Sequence, residues 1–244
     1  MSEGKGKGAA LITGAAKRIG KAIALRLAGE GHDIALHYGT SRKEAEELAA
    51  RIAGMGRKVA LVAGDLADAD TPARIVREAR ARLGQLDVLV NNASRFEPDG
   101  LRDMTLEGWE AHQAINLRAP LFLAQAFAAS KAPGPANIIN IIDQRVKKLN
   151  PLFFSYTLSK AGLWTATRTM AQALAADGIR VNAIGPGPAL ASKRMGEEDF
   201  AKLCALTPLG CGTSPEEIAD AVMFILSAPA LTGQMIILDG GQHL

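Results

Sequence analysis

Short apolar runs alternate with longer stretches of helical periodicity along the whole chain, and this alternation restricts its possible folds more than any other feature. The runs lie at residues 9–13, 33–38, 59–63, 87–90, 138–143, 180–184 and 235–238. Several are apolar at consecutive positions, as strands covered on both faces are. Between them, apolar residues recur at three- and four-residue spacing. Ile19, Ala22, Ile23, Leu25 and Leu27 form the first such stretch, closed by Gly29 and Gly31. Further helices are predicted over 41–53, 71–82, 106–130 with an interruption near Pro120, 155–176 and 215–226. Residues 189–212 show no clear periodicity. The pattern predicts an α/β protein with a single doubly wound Rossmann-type domain over residues 9–244. Its parallel sheet would hold about seven strands with helices on both faces, behind a Gly-rich tail at residues 1–8.

Composition removes several functions. The net charge of +3 is spread along the chain, so neither nucleic acid nor membrane is an expected partner. Cys204 and Cys211 give no disulfide framework, and no apolar run approaches the ~18 residues of a spanning helix. A cytoplasmic protein is expected. His32, His112 and His243 fall into no grouping with cysteine or acidic residues, so no metal is expected.

Ligands in doubly wound sheets sit beyond the carboxyl ends of the strands. The first strand runs into Gly14-Ala15-Ala16-Lys17-Arg18-Ile19-Gly20. Such a turn suits a pyrophosphate because a helix N-terminus presents free N–H groups, although glycines there can be turn formers alone. Gly14, Lys17, Arg18, Ile19 and Gly20 are its candidate cofactor contacts. The second strand ends in His37-Tyr38-Gly39-Thr40-Ser41-Arg42, without the carboxylate that a ribose 2′-hydroxyl would require. Arg18, Arg42, Thr40 and Ser41 would instead surround a 2′-phosphate, favouring NADPH. Ser41 can equally cap the next helix. Asn92, Ala93 and Ser94 close the fourth strand, and Asn116 interrupts an apolar helical face. Tyr156 and Lys160 lie one helical turn apart, an arrangement that also occurs by chance. A nearby cation favours a phenolate, so Lys160 is expected to lower the Tyr156 pKa. Asp143, at the end of the fifth strand, would oppose it, and the pair should titrate as a unit.

Together these residues resemble the short-chain dehydrogenase/reductase family. The likeness runs through TGAAKRIG, Asp65, NNAS, Asn116, YTLSK, Gly185-Pro186-Gly187 and the terminal TGQMIILDGG. It implies catalytic roles for Asn116, Tyr156 and Lys160. It also implies cofactor contacts at Asp65 and Leu66, which would flank the adenine, and at Pro186 and Gly187. Two departures from the general pattern matter: Arg18 stands at a usual glycine, and Asp143 at the serine that orients a carbonyl substrate. Both departures, with His37-Tyr38 followed by Ser41 and with Phe96 after Ser94, are similar to pteridine reductases and bacterial dihydromonapterin and dihydrofolate reductases. That likeness implies Arg18, Ser94, Phe96, Asp143 and Tyr156 as pterin contacts. A carboxylate accepts from pterin N–H groups where a serine would donate to a carbonyl, and Phe96 offers a face for ring stacking. The expected activity is NADPH-dependent reduction of a dihydropterin or dihydrofolate. A carbonyl or alcohol reductase of the same fold is the alternative, and a non-catalytic NADP-binding protein the next. The family implies a homotetramer. The apolar face Leu163, Ala166, Met170, Ala173 and Leu174 would suit that assembly or packing on the sheet.

Overall fold

Strand β1 (Ala9–Ile12) is an interior strand of the sheet, in a computed structural model that describes residues 7–130, 134–191 and 195–244. It pairs in parallel with β2 (Asp33–Tyr38) on one side and β4 (Leu86–Asn91) on the other. β3 (Val59–Ala63), β5 (Ala136–Ile141), β6 (Ile179–Pro186) and β7 (Met235–Leu238) complete a seven-stranded parallel sheet of order β3-β2-β1-β4-β5-β6-β7. The order reverses between β1 and β4, so a crevice opens at their carboxyl ends.

The consecutive apolar residues of the strands divide between two cores. Ile12, Leu36, Val88, Val90 and Ile139 face one way, against α1 (Arg18–Gly29) and α8 (Pro215–Ser227). Leu11, Ala35, Leu89 and Ile138 face the other way, against α3 (Thr71–Leu83) and α5 (Ala119–Ala129). This period-two division within unbroken apolar runs is what a sheet covered on both faces requires. α2 (Arg42–Gly54) lies against β2 and β3. Ser214 opens α8 with a reciprocal capping box to Glu217.

The structure departs from the sequence expectations in four places. The predicted helix over 106–130 is α4 (Leu106–Gln113), a π-helical turn Ala114–Arg118, and α5. Its irregularity falls at Asn116, because Pro120 is accommodated in the first turn of α5. β5 ends at Ile141, and Asp143 instead opens a 3₁₀ turn Gln144–Val146. α6 (Phe154–Ala173) starts one residue early and closes in a 3₁₀ turn, Ala175–Asp177. Finally, the segment read as irregular contains α7 (Glu197–Ala205). Its apolar stripe is short, limited to the half-buried Phe200, Leu203 and Cys204, although its acidic first turn suits a helix N-terminus.

Of the predicted tail, residues 1–6 lie outside the described residues, as do residues 192–194 of the irregular segment. Lys7 and Gly8 are fastened to the fold: the Lys7 N–H donates to Gly31 O, and the Asp33 N–H donates to Gly8 O. No helix among the described residues is long and apolar enough to cross a membrane. Of the apolar face read on α6, three residues pack internally, while Ala166 is half-buried and Ala173 exposed. Leu163 is buried with Ile142 and Ala183, while Met170 and Leu174 pack on the core.

Candidate active site

At the crevice, the first turn of α1 is drawn close to the end of β4. Thr13 Oγ1 accepts from the Asn92 and Ala93 N–H groups, each at 3.0 Å. The Asn92 amide donates to Thr13 O at 2.9 Å and Gly14 O at 3.1 Å. Asn92 is thereby a strut between β1 and β4, with its donors spent on the backbone. Gly14 has φ +60°, and a Cβ on Gly20 would lie 2.4 Å from Gly14 O. Both glycines are required by geometry. No side chain caps α1, so its first N–H groups are open to an anion. The turn therefore fits a pyrophosphate.

His37 corrects the sequence reading. Its ring is buried, with Nδ1 accepting from the Gly14 N–H at 3.2 Å and Nε2–H donating to Gly64 O at 3.1 Å. Both nitrogens are thus committed to the scaffold, and the ring holds the glycine turn from behind. Burial pushes its pKa down to about 4. At the tip of β2, Ser41 does not cap α2 with its side chain. Its hydroxyl, Thr40 and the exposed Arg42 stand beside Tyr38 without an interposed carboxylate. Lys17 pairs with Glu44 at 2.6 Å and Arg42 with Glu46 at 2.8 Å, both in water, where a phosphate can compete for them. Asp65 is exposed, its Oδ1 accepting from the Ala67 N–H at 2.9 Å, and Leu66 beside it is buried.

Arg18 has φ +54°, a left-handed conformation that costs an ordinary side chain about 1–2 kcal/mol. This accounts for the usual glycine there. Its guanidinium donates to Ala191 O at 2.9 Å, placing it between the glycine turn and the segment after β6. β6 itself approaches the site through Gly185, whose added Cβ would lie 3.6 Å from the Asp143 backbone. The Gly187 N–H bonds Leu238 O at 2.8 Å, and an added Cβ there would meet Asp239 at 2.5 Å. Pro186 and Gly187 are thereby fixed at the carboxyl edge.

Asp143, Tyr156 and Lys160 meet where β5 gives way to α6. Tyr156 Oη donates to Asp143 Oδ2 at 2.8 Å, while Asp143 Oδ1 accepts from the Arg145 N–H at 2.8 Å. Lys160 Nζ donates to Ile141 O at 2.8 Å and lies 5.7 Å from the Tyr156 ring centre. Burial, then the Asp143 charge, raises the Tyr156 pKa well above its ordinary value. This reverses the expected lowering by Lys160: the carboxylate touches the phenol, and the ammonium does not. Burial also raises Asp143, and it lowers Lys160 to about 8 against the partial opposition of Asp143. The phenol and carboxylate share a proton as one unit.

Asn116 reaches the site as a brace. Its Oδ1 accepts from the Arg95 N–H at 2.8 Å and from Ser94 Oγ at 3.2 Å. Its Nδ2 donates to Arg95 O at 2.9 Å and to Ser159 Oγ at 3.0 Å, and Ser159 Oγ donates to Tyr156 O at 2.7 Å. Pro120 lacks the N–H that would otherwise bond Asn116 O. Phe96 meets Tyr156 edge to face at 4.7 Å between ring centres. The stacking role expected of Phe96 is partly taken internally, because Phe153 lies parallel to it at 4.3 Å with Arg145 over the outer ring. Thr13, Ser159, Phe153 and Arg145 were missed in the sequence. Thr13, inside TGAAKRIG, and Ser159, inside YTLSK, carried a signal. Among the described residues no group of acidic, His and Cys side chains could hold a metal.

Comparisons with known proteins agree with this geometry. A family model described as "Enoyl-(Acyl carrier protein) reductase" (adh_short_C2) matches residues 14–243. A crystal structure of FolM Alternative dihydrofolate reductase 1 from Brucella suis, in complex with NADP, is 44% identical with a TM-score of 0.94. That alignment covers 97% of this chain and 95% of the other. General stress protein 39 of Bacillus subtilis is 36% identical, over 98% of this chain and 85% of that protein. A 3-oxoacyl-[acyl-carrier-protein] reductase of Synechocystis is 33% identical, over 95% of each. With its cradle, its Tyr156–Lys160 helix and its parallel sheet, the chain belongs to the short-chain dehydrogenase/reductase family of oxidoreductases.

Proposed function

We propose that this oxidoreductase reduces a dihydropterin or dihydrofolate with NADPH. One observation carries the substrate class: the Tyr156 hydroxyl is bonded to the carboxylate of Asp143 at 2.8 Å, at the place where the family pattern has a serine. A carboxylate accepts where a serine would donate, which suits a ring bearing N–H and NH₂ donors and offers nothing to a lone carbonyl oxygen. The similarity to a dihydrofolate reductase crystallised with NADP supports the same reading. NADPH, held by the glycine turn, with Arg42, Thr40 and Ser41 at its 2′-phosphate, supplies the hydride. Tyr156 and Asp143 hold the proton that the reduced ring nitrogen takes up. Lys160 sets the charge beneath them and offers its ammonium to the ribose, while Arg18, Ser94 and Phe96 line the approach of the pterin.

The test is a comparison of initial rates of NADPH oxidation with dihydromonapterin, dihydrobiopterin and dihydrofolate against ketones and sugars. The reading expects pterin rates to dominate, and turnover of ketones or sugars alone would overturn it. The carbonyl-reducing alternative has its own support in the Synechocystis relative. Asp143→Ser separates the two: pterin turnover should vanish while carbonyl turnover holds or rises.

A further inference from the structure

α6 carries Tyr156 in its first turn, yet nothing local ends that helix well. The residue before it, Phe153, has φ +55° and ψ 50°, and it provides no side-chain cap. A left-handed aromatic residue is strained, and the N–H groups that follow need acceptors. They find them on another segment. The Ser155 N–H donates to Asp99 Oδ1 at 3.0 Å, and the Phe154 N–H donates to Asp99 O at 3.2 Å. Asp99 thus does for α6 what an N-cap residue does, from more than fifty residues away. Its carboxylate also sits at the positive end of a helix of 20 residues.

The loop holding Asp99 has two other anchors. The Arg95 N–H bonds Asn116, and the Glu97 N–H donates to His112 Nε2 at 3.3 Å, while His112 Nδ1–H donates to Gly108 O at 2.8 Å. Between these anchors stands Phe96, against the Tyr156 ring. Gly100, next to Asp99, is held by Asp103 Oδ1 at 2.7 Å. The loop is therefore braced at its start on the π-helical turn and at its far end on α6.

We infer that Asp99 is a positioning residue for Tyr156: it caps the catalytic helix in trans and fixes the Phe96 loop to it. The inference rests on the reading of Tyr156 as the proton-handling phenol, and Tyr156→Phe serves as its control. Two substitutions test it in the full chain, with turnover followed on the best substrate of the wild type. Asp99→Ala removes the acceptor and should lower kcat by about 10-fold or more, since small misplacements at a reacting group are costly. Its KM for NADPH should hold within about threefold, and Tm should fall by about 2–4 °C. Asp99→Asn keeps an acceptor and removes the charge. It should restore Tm and most of kcat, and shift the alkaline limb of the kcat profile, where the phenol loses its proton, to lower pH, because a negative charge beside the first turn of α6 has been removed.

Loss of Tm with kcat and its pH profile unchanged in both variants would show a merely structural cap and overturn the inference. So would equal losses in Asp99→Ala and Asp99→Asn without movement of the limb. If Tyr156→Phe itself keeps full activity, the reading of Tyr156 fails instead, and the two failures are distinguishable.

Discussion

The protonation of single side chains governs both chemistry and stability. Tyr156→Phe should lower kcat by about 10²-fold or more while NADPH binding, followed by fluorescence titration, changes little, because general acid–base groups contribute at that scale. His37 acts differently. Its imidazole titrates near 6.5 when unfolded and about 4 when folded, so the unfolded chain binds more protons between those values. The stability it permits is complete above pH 6.5 and is lost as pH falls through about 4, by up to about 3 kcal/mol. Urea unfolding at pH 7.5 and pH 5 should show this slope, and His37→Gln should flatten it. Sequence reading could find Tyr156, Lys160 and Asp143 from their spacing. It could not find that His37 faces inward, because a strand-end histidine looks the same whether it meets a phosphate or two backbone groups.

Elements became legible wherever an apolar stripe accompanied them. β1, β2 and α8 were readable for this reason, and α7 was not, since its stripe is one turn long and only half-buried. The π-helical turn was equally hidden: Asn116 marked a break in the apolar face, but the extra residue in the turn leaves no trace in composition. The glycine turn shows the reverse case, where the motif was legible and the structure supplies its reason. Gly20→Ala would bring a methyl group to 2.4 Å from Gly14 O and 2.6 Å from Asn92 Nδ2, atoms of a backbone turn and of the strut that cannot both retreat. The expected result is a loss of about 1–3 kcal/mol or more of stability. NADPH affinity should fall with it, measured by calorimetry on the folded fraction.

At the scale of the molecule, the parallel order and the two cores followed from alternation alone, whereas assembly did not. Leu163, Met170 and Leu174 of the α6 face turned inward, while Phe122 on α5 and Leu158 on α6 are among the exposed apolar groups, 47% and 42% accessible. We propose that these meet a neighbouring copy in a homotetramer. Light scattering should give four chains, and Phe122→Glu should yield smaller species; a monomeric wild type at micromolar concentration would refute it. The core tolerates less. Phe127 is 1% exposed between α5 and the sheet, and its replacement by Ala should cost about 3–5 kcal/mol, or roughly 10 °C in Tm.

The interior position of β1 also sets a timetable for the nascent chain. β1 leaves the ribosome before the other six strands and has one neighbour nearby in β2, but its other partner, β4, ends at Asn91. Its helix α1 then waits for Ile218, Val222 and Ile225 of α8, which are made far later. Until then an apolar face of α1 and an unpaired strand edge stand open to other chains. A ribosome stalled before residue 215 should therefore carry a product that binds holding chaperones and is cut readily within α1. Chains in which α8 has been made and packed should escape both.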